Sequence, residues 1–444
     1  MATLLCSKQA VVCISRNKFT LISTSNVDKI FEHSRKKPTT SGSDGAEGQS
    51  SEQGQPTANE GDPQHLSNGQ ILASNFSPGG RYFAVCDDYK QLTVWEAKTE
   101  WESSSTRTVS RRCIALAFNH KEDTIYVGDK SGDVYSYSLN NQTEDGVLLV
   151  GHISMLLDVV VSQDDRFIMT ADRDEKIRVS CLPNSYHIQT FCLGHTQFVS
   201  RLAVLPNLPN VLVSGSGDGT VRFWNYIEGH QLHCISLDST HQERSKDDSA
   251  VVDSETGENG DSASSSVAKV EDQVDRPTVT CIACCRTQNI VAVSLLNNPS
   301  VLLYQVTQSN SELECVQLCT LDSKVSPWSL CFDDSDQLWI LRPVETQPLV
   351  VYSLSEESGN IKLTKLDPTT STSNTSKLIT KINDNTQFFK DSYNQESFYS
   401  TLHKRQIDNM GHYLERKHQR EEFQKQKKEA GQVKGQGSKK QKTN

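Results

Sequence analysis

The chain has 444 residues and carries 45 Lys+Arg against 55 Asp+Glu, a formal net charge of −10. That length supports one large repeat fold or a few average domains with a sizeable core, and the acidic balance excludes a histone-like nucleic-acid binder. No apolar run of about 18 residues occurs, which excludes a helical membrane span; Met1 to Ser15 lacks the basic start and small-residue cleavage site of a signal peptide.

In chain order, the apolar patterning is interrupted three times. Residues 35–69 are rich in Ser, Gly, Gln and Glu, residues 238–276 hold 11 acids against 4 bases, and the tail beyond about Leu414 is polar throughout. Such segments bury too little apolar surface to offset their ordering entropy, so disordered insertions and a disordered or helical tail are expected. The expected organisation is a first blade within 1–34, an insert at 35–69, further blades over 70–237, an acidic insert at 238–276, the remaining blades over 277–400, and a basic tail from 401.

Between these segments the sequence repeats. Short apolar runs close on an aromatic at Trp95, Tyr137, Trp224, Tyr304 and Tyr352, and Ile177-Arg178-Val179-Ser180 fits the same frame with serine in place of the ring. Successive intervals are 42, 43, 44, 80 and 48 residues, and removing the 39-residue acidic insert turns 80 into 41. Lys29-Ile30-Phe31 supplies a seventh, short frame. A period of about 40–45 residues, each unit holding several alternating strands, is the signature of a β-propeller. Gly151-His152 and Gly194-His195 open two units, and hairpins such as Lys130-Ser131-Gly132-Asp133 and Gly217-Asp218-Gly219-Thr220 close strand pairs. His195, Ser214 or Ser216, Asp218 and Trp224 are spaced for a blade-locking hydrogen-bond network like that of WD repeats. The expected fold is all-β, a seven-bladed WD-repeat β-propeller, with the strand near Leu4-Leu5 completing the last blade and so removing an open edge.

No catalytic constellation emerges. There is no phosphate-cradling glycine loop before a helix, no Gly-x-Ser-x-Gly elbow and no His-Glu-x-x-His. The 13 cysteines lie mostly in apolar, strand-like runs and read as reduced core residues; Cys281 and Cys284, three apart on a strand, point to opposite faces and cannot chelate one ion. No metal and no cofactor is expected.

Two places are candidates for binding. Asp172-Arg173-Asp174-Glu175-Lys176-Ile177-Arg178 packs six charges into seven residues, where the next unit has a small Gly-Asp-Gly turn. It is either a solvated hairpin tip or an interface patch that sets partner choice. Lys130, at the preceding blade's tip, and Arg201, after Gly194-His195, are expected near the same rim. The second candidate is the tail: residues 404–444 hold 12 Lys/Arg and 5 Asp/Glu, and 413–430 lacks Gly and Pro and is rich in helix formers. It reads either as a solubilising or nuclear-import segment or as a contact to nucleic-acid phosphates through Arg416, Lys417, Arg420, Lys425, Lys427 and Lys428.

The block from Leu149-Val150-Gly151-His152 through Asp164-Asp165-Arg166-Phe167-Ile168 to Thr170–Ser180, together with Asp129–Ser136, Cys192-Leu193-Gly194-His195-Thr196 and Phe198-Val199-Ser200-Arg201, resembles the animal WD-repeat non-catalytic subunits of tRNA (guanine-N7-)-methyltransferase. The resemblance implies a separate Rossmann-fold subunit that binds S-adenosylmethionine and methylates a guanosine of the tRNA variable loop. This chain would be the non-enzymatic scaffold that stabilises the catalytic subunit and helps to position tRNA, in the nucleus and without a membrane. It further implies that Asp174, Glu175, Lys176 and Arg178, with Lys130 and Arg201, face the catalytic partner. A propeller scaffold of another complex, such as a ubiquitin-ligase substrate receptor, stands as the alternative.

Overall fold

A computed structural model describes residues 2–35, 68–98, 100–237, 277–309, 312–357, 360–370, 372–393, 395, 397–403 and, in the tail, 414, 416–418, 420 and 422. The expected disordered stretches within 36–67 and 238–276 lie outside the described residues. Arg35, the first residue assigned to the insert, is held in place: its guanidinium bonds Asp87 at 2.6 Å and Thr93 at 2.9 Å.

Seven four-stranded antiparallel sheets, each with its strands in chain order, make up the propeller. The blades occupy residues 3–34, 71–108, 113–151, 156–192, 199–236, 279–322 and 329–365. In each blade strand a is innermost and strand d outermost, and the a–b and c–d turns lie on one face and the b–c hairpins on the other. Backbone bonds tie the b–c hairpins to the connections between blades: Lys130 N donates to Arg112 O, and His152 N to Gly132 O. These two kinds of loop therefore share a face, as expected from the sequence.

Alternating strand positions explain the packing. Each seam between neighbouring blades is filled by its own apolar cluster, for example Leu116, Phe118, Ile125 and Val127 against Ala84, Cys86, Leu92 and Val94 between blades 3 and 2. At about 25 cal/mol per Å² of apolar surface buried, these seams hold the ring together. Polar clamps reinforce them on the a–b face. Asp165 accepts from the backbone N–H of His120 and Lys121 in the preceding blade, Glu122 from that of Gly79, and Asp336 from those of Arg286 and Thr287.

Two expectations need correction. Ile30-Phe31 lies in strand d of blade 1 (Ile30–Ser34), and the true counterpart of the repeating frame is strand c, Lys18–Ser23. The strand at Leu4-Leu5 does not complete blade 7. Thr3–Cys6 pairs with Ala10–Ser15 of its own blade, with Leu4 opposite Cys13, and blade 7 draws all four strands from 329–365.

The ring closes by packing instead. Ser329 donates to Leu4 O at 3.2 Å, the sulfurs of Cys6 and Cys331 lie 3.1 Å apart, and helix α1 (Asn374–Asp384) fills the seam with Leu378, Ile379 and Ile382. Ser373 caps α1 by accepting from Ser376 N. Asn383 exchanges two bonds with the backbone of Leu349 in blade 7, while Lys381 donates to Val27 O and Asn374 to Thr24 O in blade 1. The helix is thus bonded to both sides of the seam.

Candidate partner interface and the basic tail

Blade 5 carries the full locking network. His195 Nδ1 lies 2.9 Å from Asp218, His195 Nε2 lies 2.7 Å from Ser214 Oγ, and Trp224 Nε1 donates to the same oxygen at 2.8 Å. Ser214, not Ser216, is the strand-b member. Blade 4 repeats the lock with His152, Asp172 and Thr170 at 3.1 and 2.7 Å. In blade 2 the Arg35 guanidinium takes the histidine's place on Asp87. These histidines are structural.

The lock changes the reading of the charged hairpin on blade 4. Asp172 is buried, and its second oxygen accepts from the N–H of Asp174 and Lys176. The carboxylate therefore organises the hairpin from within, leaving Lys176 exposed at the tip and Arg173, Asp174 and Glu175 half-buried. Lys130 is exposed at the equivalent tip of blade 3.

Arg178 plays a structural part. It donates through Nε to Ser180, the small residue that stands where other blades place an aromatic, and reaches Gly151 O and Ser185 O at 3.3 Å each. Ser185 in turn donates to Leu149 O at 2.6 Å. Partial burial lowers the guanidinium's pKa, but the carbonyls it meets stitch blade 4 to the outer strand of blade 3.

Around that stitch lies a surface that the charge pattern alone did not show. Val147 and Leu148 on strand d of blade 3 are 62 % and 56 % exposed, Tyr186 82 %, and Ile153, Ile188 and Phe191 are exposed beside them. Phe191 sits directly across the sheet from Arg178. Single exposed apolar residues are ordinary, whereas several on the outer strands of two stitched blades make a candidate docking surface. The sequence signal was Val147-Leu148-Leu149-Val150, an unbroken apolar run in a strand whose place in the repeat is outermost.

Arg201 is not on this rim. It lies on strand a of blade 5, donates to Thr280 O at 3.1 Å, and stacks its guanidinium 5.9 Å from the Tyr399 ring. Tyr399 and then Asp158 keep its charge in place against burial. Tyr399 belongs to a short 3-10 turn (Phe398–Thr401) that seats on the inner ends of blades 4–6. Its ring stacks on Phe198 at 6.4 Å, and Leu402 is buried with Leu157 while Arg173 reaches its carbonyl. Arg201 is therefore spent on holding the chain's own C-terminal segment, which the sequence reading missed because nothing local links residues 201 and 399.

Beyond Leu402 the chain forms a separate unit, residues 403–444. Within it Leu414, Arg416, Lys417, His418, Arg420 and Glu422 are helical and exposed. Lys425, Lys427 and Lys428 lie outside the described residues. No cluster of metal-ligating side chains occurs among the described residues, and no helix there is long and apolar enough to cross a membrane. Burial pushes the thiols of Cys192, Cys284 and Cys285 up to about 12, so they behave as core residues.

Comparison with known proteins fits this architecture. The family model for the tRNA methyltransferase TRM82 WD40 domain matches residues 20–147 and 140–339. The chain is 37 % identical over 378 residues to the Danio rerio tRNA (guanine-N(7)-)-methyltransferase non-catalytic subunit wdr4, covering 84 % of this chain and 82 % of the relative. It is 39 % identical over 371 residues to the Xenopus laevis protein of the same name, covering 82 % and 83 %. Among solved structures U3-55K aligns with a TM-score of 0.53 at 19 % identity over 76 % of this chain and 86 % of that one, a likeness of fold. The chain belongs to the family of tRNA (guanine-N(7)-)-methyltransferase non-catalytic subunits.

Proposed function

We propose that this propeller holds the catalytic subunit of a tRNA (guanine-N7) methyltransferase against the outer rim of blades 3 and 4. The observation that carries the reading is the apolar cluster Val147, Leu148, Tyr186, Ile188 and Phe191 beside the mixed-charge hairpin Asp174-Glu175-Lys176. Buried apolar anchors supply affinity at such a surface, and a charged rim supplies register and partner choice. Lys130 borders the same face, and Arg178 supports it from beneath. The chain itself is non-enzymatic; S-adenosylmethionine chemistry belongs to the partner.

The basic tail, through Arg416, Lys417, Arg420, Lys425, Lys427 and Lys428, contacts tRNA phosphates in the assembled complex, and the complex works in the nucleus. Co-expression with the catalytic subunit tests the interface. Phe191→Asp and Lys176→Glu should each reduce co-purified partner and N7-methylguanosine formation, and undiminished pairing by a double variant would overturn the assignment. Microscopy of the tagged chain checks the location, and an exclusively cytoplasmic signal would refute it.

A further inference from the structure

The seam between blades 1 and 7 joins the first blade to the last, and two thiols meet in it. Cys6 ends strand a of blade 1 (Thr3–Cys6), Cys331 lies on strand a of blade 7 (Ser329–Phe332), and their sulfurs are 3.1 Å apart. Ser329 donates to Leu4 O, and each cysteine stands two residues further along its strand. The register that closes the ring therefore also sets the two sulfurs side by side.

Exposure separates this pair from the other cysteines around it. Cys6 and Cys331 are both only partly buried, whereas Cys13, packed in the same seam, is 3 % exposed. Cys113 and Cys86 also meet, in the seam of blades 3 and 2, yet both are fully buried and closed to an oxidant.

We propose that Cys6 and Cys331 form an oxidation site, a dithiol that a peroxide converts into a disulfide and so locks the ring across its last seam. The Cys331 thiolate attacks one peroxide oxygen, the O–O bond breaks, and the departing hydroxide takes up the thiol's proton as water, leaving a sulfenic acid. The Cys6 sulfur then attacks that sulfur, the S–O bond breaks, and a second water leaves with the Cys6 proton. Two thiols lose two electrons and one hydrogen peroxide becomes two waters. Burial, and next the contact with Cys331, hold the Cys6 thiol well above its ordinary pKa, which suits it to the second step rather than the first.

The disulfide joins positions 325 residues apart, and a cross-link over a long loop restrains the unfolded chain most. In a compartment that keeps thiols reduced, such a bond is transient and acts as a sensor. Excess glutathione returns the dithiol by thiol–disulfide exchange.

The test treats the full chain, in complex with its catalytic subunit, with hydrogen peroxide, blocks the remaining thiols by alkylation and maps the peptides by mass spectrometry. A peptide pair joined through Cys6 and Cys331 is expected, and dithiothreitol should release it. The melting temperature of the full chain should rise by about 5 °C on oxidation. Cys6→Ser and Cys331→Ser should each abolish both the linkage and the rise, whatever their own starting stability.

Thiols that stay free under peroxide, or that end as separate sulfinic acids, would overturn the site, and so would a bond from Cys331 to Cys13. A Cys6–Cys331 bond that forms without raising the melting temperature would overturn the lock. Each of these results leaves the proposed role in tRNA methylation standing.

Discussion

Ser214 accepts the indole N–H of Trp224 at 2.8 Å, in the buried middle of blade 5. Ser214 Oγ also lies 2.7 Å from His195 Nε2, and His195 Nδ1 lies 2.9 Å from Asp218. With a neutral imidazole that donates from Nδ1 to Asp218, Nε2 accepts the Ser214 hydroxyl hydrogen and the chain runs one way, from indole to hydroxyl to imidazole to carboxylate. Burial agrees by lowering the His195 pKa, against the opposing pull of Asp218. Burial alone would raise the Asp218 carboxyl, but the bonds from His195, Thr220 and Thr196 outweigh it and hold it well below the usual carboxylate range.

Both shifts act in the same direction on stability. A histidine whose pKa is lower in the folded state contributes stability above its unfolded value, about 6.5, and that stability fades as pH falls below it. The Asp218 contribution is present above the ordinary carboxylate value and fades at lower pH. The melting temperature should therefore fall from pH 7.5 to pH 5, and His195→Gln should flatten that dependence. Ser214→Ala strands two buried partners and should cost about 1–3 kcal/mol, read by denaturant unfolding.

Two neighbouring positive charges on blade 4 should separate when mutated. Lys176→Glu changes an exposed tip and should weaken partner binding at least about tenfold, or 1.4 kcal/mol, with unfolding unchanged. Arg178→Ala removes the bonds to Gly151 and Ser185 and should lower stability by about 1–3 kcal/mol before any effect on binding is considered. Calorimetry of the isolated chain beside titration of the partner distinguishes them.

Truncation after His403 removes the tail's excess of 12 Lys/Arg over 5 Asp/Glu in residues 404–444. The complex should still assemble, while its tRNA affinity falls and the salt slope shrinks by about one unit for each phosphate the tail had neutralised. An unchanged slope would leave the tail with nuclear import alone.

Asp165→Ala should leave the N–H groups of His120 and Lys121 without their acceptor at the seam of blades 3 and 4. A loss of about 1–2 kcal/mol is expected, with faster amide exchange at those two positions.

Much of this molecule was legible because a propeller repeats. The strand-c aromatics Trp95, Tyr137, Trp224, Tyr304 and Tyr352 fixed the blade frame, and Gly194-His195 with Asp218 fixed the lock, since each depends on spacing within one unit. What escaped depends on contacts between distant parts of the chain. Blade 1 was misaligned because Phe19 and Leu21, its strand-c core residues, lack the closing Trp or Tyr of the other blades. Arg201 was assigned to a rim because its seat under Tyr399 spans 198 positions of sequence. The apolar patch was missed because the outer strands of blades 3 and 4 come together only through the bonds of Arg178 to Gly151 and of Ser185 to Leu149.

Closure of the ring by packing rather than by a borrowed strand determines the order in which the molecule can be assembled. Each blade pairs its four strands entirely within its own stretch of chain, so the sheet of blade 1 can form once residue 34 has left the ribosome and need not wait for the far end. Only the last seam, between Leu4 and Ser329, depends on the whole chain, and the helix bonded to both of its sides is made afterwards. Translation thus delivers the clasp last, when both blades that it joins already exist.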